Sequence, residues 1–204
     1  MSESEAPEPD QPAGGDDVDV DALLFAQWNV SDIAYSDPST ERYITVTPVA
    51  HTMGRHSSKQ FKKSEISIVE RLINKLMKTE ENTGKKQMMT NVTREACELV
   101  HERTDENPVQ ILVQAVENAA PREETVRLKY GGISVPKAVD VAPQRRVDQA
   151  IKFLAEGTYQ RSFKTPTPVE EALASQLIGA ANYEVETYAI NQKEEKERVA
   201  AAAR

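Results

Sequence analysis

The chain has 204 residues, of which 33 are acidic and 25 basic, and its formal net charge of −8 argues against a nucleic-acid partner unless the charges are segregated. Its single cysteine excludes an intrachain disulfide framework and suits a reducing compartment, and no apolar run approaches the roughly 20 residues of a membrane span. The acidic, proline-rich N-terminus differs from a signal or transit peptide, so we expect a cytoplasmic protein.

The N-terminal segment accounts for the whole net charge. Residues 1–24 contain eight acidic and no basic side chains, which leaves 25 of each in residues 25–204. Because the segment almost lacks large apolar groups, it cannot bury enough surface to offset its ordering entropy, and we predict a disordered acidic tail over residues 1–24. This tail is either a solvated segment without a specific role or a regulatory segment that mimics a partner.

Residues 25–64 are predicted to form an irregular N-terminal extension that becomes basic. Only Tyr43–Thr47 alternates like a short strand, which Pro48 ends. The following residues 51–63 carry five positive groups, counting one histidine, with Gly54 as a hinge. A loop this basic cannot bury itself without counter-charge, so we expect it to bind an anionic partner.

Residues 65–204 are predicted to form a helical domain. Apolar residues recur at helical spacing in Glu65–Lys78, about Lys85–Arg103, Val109–Ala120, a helix from Pro143, and Val169 to about Tyr183. In the first helix, Ser64 is the expected N-cap, and Arg71, Lys75 and Lys78 should project opposite the apolar stripe. The third is apolar nearly all round and should be the central helix. The last stretch, Thr187–Arg204, is helix-forming but polar nearly all round, so it should either fray or need a partner to become ordered.

Between the third and fourth helices, the apolar period changes from 3.6 to 2. Two alternating runs over about residues 125–141 flank Gly131-Gly132, which predicts a β-hairpin with a two-residue turn. A lone two-stranded ribbon is marginal in water, so we expect an arm held by helices at its base. The predicted fold is therefore mainly α, a single domain of about five to six helices with a protruding two-stranded β-hairpin arm.

The sequence contains no convincing catalytic or metal-binding constellation. Lys85-Lys86 follow a glycine as in a phosphate loop, but the other required residues are missing. His51 and His56 lie five apart and Cys97 and His101 follow about 45 residues later, whereas zinc-finger ligands come in tighter pairs. Cys97 lies at the margin of an apolar stripe, as a packed or half-buried thiol does. We therefore expect neither an enzyme nor a bound cofactor or metal.

Basic residues are concentrated in two blocks of the sequence. Residues 42–94 carry eleven bases and four acids, and residues 122–164 carry nine bases and five acids. A single lysine or arginine is by default a solvated surface charge, but the blocks together indicate a phosphate-binding surface built from several elements. Folded RNA suits such a surface. The alternative is a helical DNA-binding regulatory protein, whose recognition face would consist of Arg145, Gln149 and Lys152.

Several motifs, in order, resemble the small-subunit ribosomal protein S7 family. The longest are Val116-Glu-Asn-Ala-Ala-Pro-Arg-Glu-Glu-Thr-Val126, Tyr130-Gly-Gly-Ile-Ser-Val-Pro136 and Val141-Ala-Pro-Gln-Arg-Arg-Val147. Asn74–Met77 and Gly84–Lys86 also fit the family. Trp28, Arg42–Ile44, Gly54–His56 and Lys59–Phe61 resemble its archaeal and eukaryotic branch. The resemblance covers roughly residues 25–204.

This resemblance implies a structural constituent of the small ribosomal subunit. Such a protein is a primary rRNA-binding protein that nucleates assembly of the 3′ (head) domain, near the exit-site tRNA, the mRNA exit path and small-subunit protein eleven. The ribbon tip, Tyr130-Gly131-Gly132, would lie near the exit site. The candidate rRNA-binding residues are Arg42, Arg55, His56, Lys59, Lys62, Lys63, Arg71, Lys75, Lys78, Lys85, Lys86, Arg94, Arg122, Arg127, Lys129, Lys137, Arg145, Arg146 and Lys152.

The overall acidity and the modest use of lysine, 13 against 12 arginines, suit a cytoplasm of very high salt. Such salt screens charges beyond a few ångström, so that short, fitted contacts must supply the affinity for RNA. We therefore expect a high-salt archaeal source.

Overall fold

The computed structural model describes residues 23–54, 56–78 and 80–204. In these ranges the α-helices are α1 (Pro38–Glu41), α2 (Ile68–Leu76), α3 (Lys86–Thr104), α4 (Pro108–Ala119), α5 (Pro143–Ser162), α6 (Val169–Ala181) and α7 (Tyr188–Ala202). The strands are β1 (Leu23–Leu24), β2 (Trp28–Asn29), β3 (Glu123–Tyr130) and β4 (Ile133–Asp140). The predicted class, a mainly α fold with a two-stranded hairpin, is confirmed.

The N-terminal extension lies against the helices. Strand β1 pairs antiparallel with β2, and Leu24 is fully buried, although the sequence places Leu23 and Leu24 in the acidic tail. Residues 1–22 of that predicted tail lie outside the described ranges. The predicted strand Tyr43–Thr47 is wrong: Thr45 makes an isolated bridge to Ser67 at the start of α2, and none of the strands in the described ranges lies beside it.

Helix α2 begins later than the sequence predicts. Residues Lys62–Glu65 form a 3₁₀ turn, and the Ser64 hydroxyl donates to the Phe61 carbonyl over 2.7 Å instead of capping the helix. Ser67 takes the N-cap position. The apolar stripe predicted for this helix, including Val69, Ile73 and Leu76, is buried as expected.

Helix α4 is the central helix, as predicted. It packs against α3, α5, α6 and α7, and Val113 and Val116 are fully buried. Asn107 caps its N-terminus by accepting the Val109 N–H over 3.0 Å, and Pro108 follows. The buried Glu117 carboxylate accepts backbone N–H bonds from Ser36 and Asp37, so the one charge on this helix ties the extension to the core.

Helices α5, α6 and α7 approach each other closely at Gly157. A Cβ atom at this position would lie 2.6 Å from the Gln176 Oε1 and 2.9 Å from the Tyr188 Cβ, so only glycine allows the crossing. The polar helix α7 is ordered by contacts with other parts of the same chain. Ala189 and Ile190 are fully buried, and α7 contacts α5 and the base of the ribbon.

Strands β3 and β4 form the predicted ribbon. They pair antiparallel from Glu123 opposite Asp140 to Tyr130 opposite Ile133. Gly131 and Gly132 have φ values of 56° and 90°, as a primed two-residue turn requires. Helix α7 packs against both strands near the base, so the arm is anchored at one end. No α-helix in the described ranges is long and apolar enough to cross a membrane.

Candidate nucleic-acid interface

Cations from the segment before α2, from α2, from α5 and from α7 lie on one side of the domain. We call this surface the basic face, and it comprises Lys63, Lys75, Lys78, Arg145, Lys152 and Lys196. Three carboxylates lie among these cations, those of Glu124, Asp148 and Glu156. The elements that build this face are separated by as many as a hundred residues or more in sequence. A surface that follows a folded RNA backbone requires such a combination of separate elements.

The electrostatic environment of Lys75 reflects the positive charge of the basic face. Its pKa is lowered, first because the side chain is partly buried and then because Lys78, Lys63 and Lys152 are close. Asp148 opposes this effect but does not cancel it. A lysine whose pKa is lowered by neighbouring cations lies in an electrostatic environment that favours an added anion.

The ribbon base, α5 and α7 are connected by a polar network on this face. The Arg145 guanidinium donates to both Glu124 carboxylate oxygens, over 2.7 and 3.0 Å. The Gln149 amide donates to Glu124, and the Lys196 ammonium donates to Gln149 Oε1, each over 3.0 Å. Burial raises the pKa of Glu124, but the bonds from Arg145 and Gln149 outweigh it and lower the pKa, so this carboxylate stays ionised and holds the network.

Lys196 is a member of the basic face that the sequence did not reveal. It lies in α7, which is polar nearly all round, so no amphipathic pattern separates its inner from its outer residues. Its ammonium lies 5.0 Å above the Phe153 ring, and Lys152 and Arg145 contribute to lowering its pKa after burial. Only the packing of α7 on α5 identifies it.

Two arginines that were expected to face outward are buried, which corrects the prediction for Arg71 and Arg146. Arg71 is 6% exposed and donates to the Tyr43 carbonyl over 2.8 Å and to Asp148 over 3.0 Å. Arg146 is 7% exposed and donates to Asp37 over 2.8 Å. Both predictions failed because the N-terminal extension covers the helix faces from which these side chains project.

Other candidates also take part in internal contacts. The Lys86 ammonium lies 2.6 Å from the buried Glu70 carboxylate, which accepts the Thr52 N–H as well. His56 is half-buried and bonds to the Thr52 hydroxyl over 2.8 Å. These two side chains fix residues near the basic segment to α2 and α3.

The remaining candidates are available at the surface. Nine are exposed and make no ion pair with any described residue, namely Arg42, Lys59, Lys78, Lys85, Arg94, Arg122, Arg127, Lys129 and Lys137. Lys62 is half-buried. Arg55 and the Tyr130 side chain lie outside the described part of the chain.

The ribbon presents different chemistry on its two faces. Arg127 and Lys129 project from one face, as the alternation predicts. Val126, Val135 and Lys137 project from the other, and all three are exposed. The ribbon is therefore basic on one face and largely apolar on the other.

The described residues contain neither a cluster of metal ligands nor a reactive thiol. No group of three or more histidine, cysteine or carboxylate side chains among them could hold a metal ion. Cys97 is buried, as predicted, and burial raises the pKa of its thiol to about 12, which makes it a poor nucleophile.

The family model for ribosomal protein S7p/S5e matches residues 40–204 of this chain. The chain is 76% identical over 201 residues to small ribosomal subunit protein uS7 of Natronomonas pharaonis, covering 98% of this chain and 99% of that protein. It is 75% identical over 204 residues to uS7 of Halococcus morrhuae and 74% identical over 206 residues to that of Haloarcula marismortui, each match covering both chains completely. These organisms are halophilic archaea, in agreement with the branch and the high-salt source that the sequence predicts.

Proposed function

We propose that this chain, which belongs to the ribosomal protein S7p/S5e family and is a structural protein of the small ribosomal subunit, binds the 3′ (head) domain of small-subunit rRNA through its basic face. The observation that carries the proposal is the convergence of Lys63, Lys75, Lys78 and Lys152 beside only two carboxylates, Asp148, which pairs with Lys63, and Glu156, which pairs with Lys152. Four ammonium groups with two counter-charges leave a surplus that rRNA phosphates neutralise.

The binding would be non-covalent and would fix the shape of the RNA. The exposed cations lie on loops, helices and the ribbon, so they can contact phosphates from separate RNA segments at the same time. A protein that holds several RNA segments together stabilises their junction, and later proteins can then bind. This is the physical basis on which we propose that the chain nucleates assembly of the head domain.

The ribbon would form a second functional surface of the protein. Its tip, Tyr130-Gly131-Gly132, extends beyond the helices that anchor its base, and Lys129 and Arg127 are exposed along it. We propose that this arm, with α7, lies near the exit-site tRNA and the mRNA exit path, beside small-subunit protein eleven. The support is the family membership together with an arm that carries the exposed cations Arg127 and Lys129 next to its tip.

The alternative of a DNA-binding regulator is disfavoured by the packing of α5. Its proposed recognition face consists of Arg145, Gln149 and Lys152. Gln149 is only 7% exposed, and both Arg145 and Gln149 bond to Glu124 of the ribbon base. Because Gln149 is covered and Arg145 is held against the ribbon base, the three side chains do not form a free recognition face for a major groove.

The test compares the affinity of the purified chain for the 3′ domain fragment of small-subunit rRNA with its affinity for a DNA duplex of similar length. Lys78→Gln together with Lys152→Gln should weaken rRNA binding by at least about a hundredfold, since each charged contact contributes roughly 1.5–3 kcal/mol. Arg103→Gln together with Arg161→Gln removes the same charge outside the basic face and should leave the affinity nearly unchanged. Equal losses for the two double variants, or a preference for the duplex, would refute the proposal.

A further inference from the structure

Asp148 is one of the three carboxylates on the basic face, and it lies beside Lys63, Lys75 and Arg145. Its carboxylate accepts from the Lys63 ammonium and, over 3.0 Å, from the Arg71 guanidinium. Its side chain is 25% exposed, so it lies at the surface and is not sealed in the core. A carboxylate in this position repels phosphate, so a surface evolved only for maximum attraction to RNA would not contain it.

The contacts of Asp148 join three separate parts of the chain. Lys63 belongs to the basic segment before α2, Arg71 to α2, and Asp148 itself to α5. Arg71 also donates to the Tyr43 carbonyl, which ties the N-terminal extension to the same point. Loss of the carboxylate would free Lys63 and leave Arg71 with only its backbone partner.

The same carboxylate influences cations that it does not bond. It acts electrostatically on Lys75 and on Arg145, and Lys63 and Lys152 act on the same Lys75 with the opposite sign. Asp148 therefore both reduces the positive potential of the face and holds one of its lysines in place. The first effect weakens RNA binding and the second strengthens it. Salt screens the first effect more than the second, so measurements at different salt concentrations distinguish them.

We propose that Asp148 is a positioning residue of the rRNA site, which fixes Lys63 beside Lys75 and Lys152 so that a particular arrangement of phosphates is recognised when long-range attraction is screened. The inference rests on the proposed rRNA-binding function. At high salt, Asp148 would strengthen rRNA binding by holding Lys63 in place. At low salt, it would weaken rRNA binding by reducing the attraction of the basic face for phosphate. A lysine that is already held in place loses less side-chain freedom when a phosphate binds it.

The Asp148→Asn variant should therefore bind more tightly than the native chain in dilute salt and more weakly in concentrated salt. At about 0.1 M salt the Debye length is roughly 10 Å, and the added positive potential acts over the whole face. At about 1 M it is roughly 3 Å, and only the lost positioning of Lys63 remains. Removing an internal counter-ion also lets RNA displace about one more salt ion, which steepens the dependence of log K on log[KCl] by about 0.7–0.9.

The experiment measures the affinity for the 3′ domain fragment and for an unrelated RNA duplex from about 0.2 to about 2 M KCl, with circular dichroism confirming the folded state at each concentration. The ratio of the Asp148→Asn affinity to the native affinity should fall about five- to eightfold over this range and cross unity. Asp148→Glu, which keeps the charge, should restore the native slope. Glu171→Gln removes a carboxylate that pairs with Arg103 outside the basic face, and it should give a line parallel to the native one.

Parallel lines for Asp148→Asn and the native chain would overturn the inference while leaving the proposed function intact. Native chain that fails to prefer the 3′ fragment over the duplex at any salt concentration would instead refute the proposed function. If Asp148→Asn does not fold, Lys63→Gln is compared with Lys59→Gln, which removes an exposed lysine of the same segment. Lys63→Gln should then weaken binding at about 2 M KCl severalfold more, and equal losses would overturn the inference.

Discussion

Arg145 and Arg146 are neighbours on α5 and lie in opposite environments. The Arg145 side chain is 59% exposed and pairs with Glu124, whereas the Arg146 side chain is 8% exposed and bonds to Asp37 and Ser39. Burial by itself raises the pKa of Asp37, but the bonds from Ser39 and Arg146 outweigh it and lower this pKa to about 2. The Asp37 carboxylate is therefore ionised over the whole physiological range, and Arg146 is its counter-charge.

Substituting Arg145 and Arg146 one at a time should distinguish the arginine that binds RNA from the arginine that stabilises the fold. Arg146→Gln should lower the free energy of unfolding by about 2 kcal/mol, because it removes charged hydrogen bonds to a partly buried carboxylate. Arg145→Gln should lower it by less than about 1 kcal/mol, because an exposed ion pair is weak. Urea denaturation at one fixed KCl concentration measures both values.

The rRNA affinity of the two variants provides the complementary measurement. We expect Arg145→Gln to weaken binding, since its guanidinium belongs to the basic face, and Arg146→Gln to leave the affinity of the folded fraction unchanged. If Arg146→Gln unfolds no more easily than Arg145→Gln, the bond to Asp37 does not stabilise the fold as the geometry indicates.

At the scale of elements, α7 and the ribbon stabilise each other. Helix α7 has little amphipathic character, yet it is held by α5 on one side and by β3 on the other. The Glu197 carboxylate accepts the Arg122 N–H over 2.8 Å, and Arg204 pairs with Glu123, so two side chains of α7 bind the start of β3. The base of the ribbon is thus part of the fold, whereas no bond of this kind from α7 to the tip occurs among the described side chains.

The tip of the ribbon should be removable without loss of stability. Deleting Lys129, Tyr130, Ile133 and Ser134 removes two facing residue pairs and leaves Leu128 opposite Val135 across the same Gly131-Gly132 turn. Because the register and the faces are preserved, the free energy of unfolding should change by less than about 0.5 kcal/mol. We expect most of the rRNA affinity to remain, while exit-site function is impaired. Thermal unfolding, rRNA affinity and exit-site tRNA occupancy on reconstituted subunits measure the three effects.

A deletion of Lys129 alone is the matched control. Because Tyr130 is the only β3 residue beyond this position, the deletion must either shift the pairing of β3 with β4 by one residue or distort the Gly131-Gly132 turn, so it should destabilise the ribbon more than the larger deletion does. A loss of more than about 2 kcal/mol on removal of the two pairs would show that the tip contributes to the fold after all.

At the scale of the whole molecule, the net charge and the local charge have different consequences. The excess of negative charge belongs to residues 1–24, and the cations are concentrated on the basic face and the ribbon. Concentrated salt screens both, so stability and RNA binding at high salt depend on contacts of a few ångström. The paired cations of the basic face are contacts of this kind.

Stability should therefore rise with salt, and part of this rise should depend on the N-terminal residues. The melting temperature of the full chain should increase between about 0.1 and about 2 M KCl, as screening removes the repulsion within a chain of net charge −8. Removal of residues 1–22 deletes eight acids, so the increase should be smaller. Calorimetry on both chains measures the difference. An equal increase of the melting temperature in both chains would show that the salt dependence arises in the folded domain. If the melting temperature of neither chain increased, the electrostatic explanation would be wrong.

The sequence by itself determined the helices, the ribbon and the family. Helical periodicity, the cap at Asn107 and the Gly131-Gly132 turn are local signals, because each depends on residues within a few positions of one another. The same holds for the family motifs, which are contiguous. The burial of Cys97 also followed from its position on a helical stripe.

Only the tertiary structure decided which cations face solvent. Arg146 bonds to Asp37 across 109 positions, Arg71 to Asp148 across 77 and Lys196 to Gln149 across 47. The exposure of a helix face depends on which distant segment covers it, and no periodicity within the helix encodes that. The positive charge of the sequence therefore predicted an RNA-binding surface, but the packing of the N-terminal extension and of α7 determined which residues form it.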